Sequence, residues 1–157
     1  MANNFKIKSL QSEEFSELFT LNDSELSQHG AVRMIVDEKP GYPCRVSLAD
    51  AEIGEEVILL PYQHHKTNSP YQSNGPIFVR RNAKTADLNV NEIPYMLTHR
   101  LLSVRGFSKH GMMIEANVTE GNSLREILNK IFENKEVSYV HIHNAKPGCY
   151  NCVAVNV

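Results

Sequence analysis

A chain of 157 residues, 41% hydrophobic and 22% charged, is long enough for one domain with a sizeable core and is too apolar for a disordered or fibrous class. Its net charge of −2 comes from interspersed acids and bases, which argues against a nucleic-acid partner or an acidic-membrane surface. No apolar stretch approaches the ~20 residues that span a bilayer, and the opening MANNFKIKSLQSEEF has no apolar core of the signal-peptide kind, so the expectation is a cytoplasmic protein with no membrane partner.

Phe5-Lys-Ile-Lys8 alternates as a short strand does. Ser12-Glu-Glu14 followed by Phe15, Leu18 and Phe19 predicts a short helix with acids in its first turn, and a second turn is expected around Asp23–Gln28, ending at Gly30. Residues 32–36 alternate and predict a strand, which Lys39-Pro-Gly-Tyr-Pro43 breaks. Leu48–Glu52 is expected to form one helical turn. Glu56–Tyr62 is apolar on both faces and predicts a central strand, with Pro61 marking where pairing stops. His64–Pro76 is expected as a long polar loop, of the kind that often carries function. Short strands follow at 77–80, 101–107 and 112–118, the last two joined by Ser108-Lys-His-Gly111, with a helical turn at 93–100 before them. Ser123-Leu-Arg-Glu126 reads as a capping box, and Leu124, Ile127, Leu128, Ile131 and Phe132 recur at helical spacing, predicting an amphipathic helix over about 123–134. Strands at 137–143 and 149–155 close the chain. This order predicts one α+β domain spanning 1–157: a mainly antiparallel, curled β-sheet against one strong amphipathic helix, with short N-terminal helices.

The stretch SYVHIHNAKPGCYNC holds two histidines and two cysteines. Alternation puts His141 and His143 on one face of a strand. If the turn is Asn144–Gly148, His143 pairs with Cys149, and His141, His143 and Cys149 form a three-ligand zinc site with an open position, His64 or His65 being a fourth ligand. The same geometry sets a cysteine beside a histidine base. A turn one residue shorter pairs Asn144 with Cys149 and turns Cys149 to the other face, so the metal reading hangs on register. Cys149-x-x-Cys152 faces opposite ways when extended, and no helix follows to activate a redox thiol. With Cys44 the cysteines are an odd, sparse set, and free thiols are expected.

Adjacent side chains diverge on an extended strand, so at most one of His64 and His65 is expected to face a site. Arg45, Arg80, Arg81 and Arg105 lie in or beside strands; two that converge make a carboxylate or phosphate clamp. Glu115 is the one carboxylate set in a strongly apolar strand, a candidate acid, base or arginine partner. Phosphate-loop, dinucleotide, zinc-protease and nucleophile-elbow motifs are absent from the sequence.

PGYPCRVSLADAEIGEEVILLPYQHH, SPYQSNGPIFVR, LLSVRGF, GMMIEANV and VHIHNAKPGCYNC together resemble the bacterial domain of unknown function family 1203, over nearly the whole chain from about Phe5 to Val155. The resemblance implies a small bacterial cytoplasmic protein and brings no catalytic assignment. The segments that carry it hold Arg45, His64, His65, Ser69, Tyr71, Gly75, Arg105, His141, His143, Asn144 and Cys149. The preferred reading is a small-molecule-binding protein or enzyme whose pocket forms where the 64–76 loop meets the 141–149 hairpin. Arg45, His64, His65, Tyr71, Arg105 and Asn144 would bind substrate, and His141, His143 and Cys149 would do chemistry. No cofactor is required, though zinc suits the alternative. A further alternative is a protein-interaction module without catalysis.

Overall fold

The computed structural model describes residues 3–157. In chain order the elements are β1 (Phe5–Lys8), two 3-10 turns (Ser12–Glu14 and Ser16–Thr20), α1 (Asp23–Gln28), β2 (Val32–Ile35), β3 (Glu56–His65), β4 (Ser73–Arg80), α2 (Tyr95–Thr98), β5 (Leu101–Phe107), β6 (Met113–Glu120), a 3-10 turn (Gly121–Ser123) running into α3 (Leu124–Ile131), β7 (Tyr139–Asn144) and β8 (Tyr150–Asn156). They form two antiparallel sheets, one of five strands in the order β1-β8-β7-β5-β6 and one of three in the order β2-β3-β4. The expected single curled sheet is thus two separate sheets. β4 leads into the irregular segment 81–94 instead of pairing with β5, so no ladder joins the halves.

The five-stranded sheet is held by its face toward α3. Leu102 and Val104 of β5, Val140 and Ile142 of β7, and Cys152 and Ala154 of β8 pack with Leu124, Leu128 and Ile131 in one buried cluster. Each of those helix side chains contributes about 1.5–3 kcal/mol by leaving water. The α-helix begins at Leu124, where the capping box implies, but the chain enters it through a 3-10 turn. Ser123 closes the preceding 3-10 turn and its side chain caps nothing, and the regular helix ends at Ile131. Gly121 in that turn has no alternative residue. A Cβ there would lie 1.8 Å from the Leu97 carbonyl oxygen.

The three-stranded sheet buries Ile58, Leu60, Ile77 and Val79 against Phe15, Leu26, Cys44 and Val46. The segment expected as one N-terminal helix forms the two 3-10 turns, while the turn at Asp23–Gln28 is helical, with Asn22 accepting from the Glu25 amide. Leu48–Glu52 is not a helix. Leu48, buried, sits at φ +53, and a tight loop brings Pro43 opposite Asp50. Pro61 does not end pairing either. It lies opposite Pro76, and the β3–β4 ladder continues to His65 opposite Ser73, so the expected 64–76 loop shrinks to residues 66–72. Both prolines are tolerated because β4 is an edge strand and β2 reaches only Leu59, which leaves no third strand needing their missing N–H donors.

Candidate functional site

Alternation on β7 sends Val140 and Ile142 toward α3 and leaves Tyr139, His141 and His143 on the opposite face. The end of β3 covers that face. His64 lies edge-on to His143, with ring centres 5.1 Å apart, and stacks on Tyr150 at 5.2 Å; His65 lies 4.8 Å from His141 and 4.3 Å from Phe107. Both adjacent histidines therefore join one cluster, contrary to the expectation for a straight strand. The reason is a register shift between Tyr62 and His65, where a bulge lets consecutive side chains turn the same way.

Hydrogen bonds fix two of the rings. His65 Nδ1 donates to the Tyr71 carbonyl at 2.7 Å, and its Nε2 meets the Tyr139 hydroxyl at 2.6 Å; a carbonyl only accepts, so the proton sits on Nδ1. His143 Nδ1 likewise donates to the Gly148 carbonyl at 2.9 Å. Burial, then the neighbouring histidines and Arg105, pushes His141 down to about 3; burial pushes His64 and His143 down to about 4 each. These three imidazoles are neutral at physiological pH. The Nδ1 atoms of His64 and His141 are buried with no hydrogen-bond partner among the described residues. Arg105 sits across the strand pair from His141, donates to Ser103 Oγ at 3.1 Å and, among the described residues, takes part in no ion pair. An open polar cleft of about 430 Å³ lies on this side, lined by His64, His65, Lys66, Lys109, Tyr139 and His141.

A second cleft of about 470 Å³ lies where Arg45 and Cys149 meet. Arg45, Phe78, Asn144, Lys146 and Cys149 line it together with His99 and Arg100. Arg45 is 1% exposed. Its Nε donates to the Tyr150 carbonyl at 2.7 Å, Nη1 to the Pro43 carbonyl, and Nη2 to Cys149 Sγ at 3.1 Å. Among the described residues it meets no carboxylate, and burial lowers its pKa, opposed by Cys149. Asn144 Nδ2 approaches the same sulfur at 3.7 Å, while Asn144 Oδ1 accepts from the buried Asn151 at 2.7 Å. On the facing wall, Asp50 holds His99 Nε2 at 3.0 Å and Arg100 Nη1 at 3.1 Å.

The register of the last hairpin decides the metal question. The Asn144 amide donates to the Cys149 carbonyl and the Gly148 amide returns to the Asn144 carbonyl, both at 2.9 Å, with Gly148 at φ +82. Asn144 therefore pairs with Cys149, and His143 stands opposite Tyr150, with a bulge beside it. Cys149 leaves the histidine face for the Arg45 side, so His141, His143 and Cys149 do not make the zinc set that the longer turn would give. Among the described residues no three His, Cys, Asp or Glu side chains are placed to hold a metal ion. Cys152 is fully buried in the α3-side core, its thiol pushed up to about 12 by that burial. All three cysteines are free.

The anticipated pocket is thus two separate groups. His64, His65, His141, His143 and Arg105 gather on the strand face that carries Tyr139; Arg45, Asn144 and Cys149 gather at the other cleft. Tyr71 contributes its carbonyl to His65 while its ring edges onto Phe107, 6.0 Å away. Arg80 and Arg81 join neither group, being paired with Glu55 and Glu56. Among the described residues Glu115 meets neither Arg45 nor Arg105, and its Oε2 is buried without a partner. Asp50, His99 and Lys146 are not among the expected site residues. Tyr139 shares the histidine face by simple alternation, and Lys146 flanks the Pro147-Gly148 turn, so it is Asp50 and His99 that carry no local signal.

The family described as protein of unknown function (DUF1203) matches residues 41–155. The chain belongs to this family. No curated protein and no solved structure matches it. Arg45, Arg105, the four clustered histidines and Cys149 all fall inside the DUF1203 match, whereas β1, α1 and β2 precede it. No helix among the described residues is long and apolar enough to cross a membrane.

Proposed function

We propose that this DUF1203 protein binds a small molecule bearing a carboxylate or phosphate in the cleft over Arg45 and Cys149, in a bacterial cytoplasm. The observation that carries the reading is Arg45 itself. A guanidinium taken wholly out of water without a carboxylate costs several kcal/mol, and among the described residues its one hydrogen-bond partner able to bear negative charge is the sulfur at the cleft wall. Lys146, exposed at the same cleft, adds a cation that takes part in no ion pair among the described residues. Apolar walls at Pro43, Phe78 and Leu101 suit a short carbon body. His143 serves the site from behind by holding the Gly148 carbonyl next to Cys149.

Thermal-shift titration with acetate, oxalate, inorganic phosphate and sulfate against chloride, at matched ionic strength, tests the reading. A saturable rise in midpoint for a carboxylate or phosphate, reduced in Lys146→Ala, supports it. No saturable rise with any of the four overturns it.

A further inference from the structure

We infer that Cys149 is a nucleophile that attacks the electrophilic carbon of a small anionic substrate held in this cleft, an inference that rests on the anion-binding reading above. Of the three cysteines only Cys149 has access to a cleft, since Cys44 and Cys152 are both 0% exposed. Its sulfur is not merely packed. Two N–H donors converge on it, Arg45 Nη2 at 3.1 Å and Asn144 Nδ2 at 3.7 Å.

Each donor is fixed by a partner of its own. The carbonyls of Tyr150 and Pro43 hold the guanidinium, and buried Asn151 orients the Asn144 amide. Donors fixed in advance around a reacting atom stabilise charge without reorganising during the step. A cysteine kept for packing would need neither a desolvated arginine nor a tethered amide beside it. The turn completes the setting, because Gly148 at φ +82 and the Asn144–Cys149 backbone pair present the sulfur at the cleft wall. Lys146 then lies where it can hold the substrate's anionic end while the sulfur reaches the neighbouring carbon.

The step is a displacement. The sulfur's electron pair forms the S–C bond as the bond from that carbon to the leaving group breaks, and the leaving group departs with its electron pair. The thiol proton passes to solvent.

Iodoacetate and iodoacetamide are matched probes, differing in the negative charge; with either, iodide leaves and a thioether remains. Second-order alkylation rates at Cys149 are measured on the full chain by intact-mass spectrometry with peptide mapping, and the ratio of the two rates is divided by the ratio for glutathione. The expected result is a preference for iodoacetate of about tenfold over glutathione, the worth of one charge-assisted contact, shrinking toward unity in Lys146→Ala, whose exposed side chain the fold does not need. A ratio no greater than glutathione's overturns the anionic-substrate class. Failure of both reagents to alkylate Cys149 overturns the nucleophile. Acetate titration of Cys149→Ser separates the two readings. Retained binding beside failed alkylation of the unaltered chain removes only the nucleophile inference, whereas absent binding in both this variant and the unaltered chain removes the anion site beneath it.

Discussion

The Tyr139 hydroxyl and His65 Nε2 meet at 2.6 Å, tying the end of the three-stranded sheet to the middle of the five-stranded one. The Tyr71 carbonyl fixes the ring from its other nitrogen, so in the neutral ring the tyrosine donates. Long-range proton–nitrogen NMR should find the Nδ1–H tautomer at His65, and at His143 as well. Tyr139→Phe leaves Nε2 without its donor and should cost about 1–3 kcal/mol in urea unfolding. An unchanged unfolding midpoint would show that this bond does not join the sheets.

Arg45 predicts a different asymmetry. Removing it strands the Tyr150 and Pro43 carbonyls that it satisfies, so Arg45→Met should lose about 3 kcal/mol or more. Cys149→Ser keeps a polar acceptor under the guanidinium and should lose much less. Paired denaturant melts check the ordering, and equal losses would contradict it.

The histidine face sets an acid limit. His64, His141 and His143 have folded-state pKa values of about 4, 3 and 4, below the unfolded value near 6.5. Between those values the unfolded chain binds more protons than the folded one. Their contribution is therefore complete above about pH 6.5 and is lost as pH falls toward 4. Each fully buried ring contributes at most about 1.4 kcal/mol per pH unit to that slope, and half-buried His64 contributes less. Urea midpoints measured from pH 7.5 downward should fall through this window, and His141→Phe should flatten the descent. A midpoint independent of pH there would contradict the neutral cluster.

Gly121 gives a steric prediction. An alanine Cβ would collide with the Leu97 carbonyl oxygen at 1.8 Å, backbone that cannot swing aside. Gly121→Ala should cost at least about 1–3 kcal/mol, seen as a lower thermal midpoint and weaker amide protection at the start of α3.

Much of this fold is legible from alternation. The boundaries of β5, the positions of β7 and β8 to within two residues, the core face of α3 and the shared face of His141 and His143 all follow from period-two and helical spacing in their own segments. What escaped was set by departures from that spacing. The bulge beside His143 moves Cys149 from the imidazoles to Arg45, and the one before His65 brings both histidines onto one face. A positive φ at a buried leucine replaces the expected turn at Leu48. Asp50 and His99 meet across 49 positions of chain, a distance no local pattern spans. Ser123 had the composition of a cap but the backbone of a 3-10 turn.

β1 pairs along β8, Phe5 opposite Asn156 through Lys8 opposite Val153, and sends Phe5 and Ile7 into the α3-side core. That strand precedes the span shared with the family. A fragment trimmed to the shared span would bare the backbone donors and acceptors of β8 along its length and open a groove where two large side chains had been. A bare ladder of that kind is a template for another chain; β1 replaces it with an edge only four residues long, whose Phe5 backbone is already engaged by Asn91.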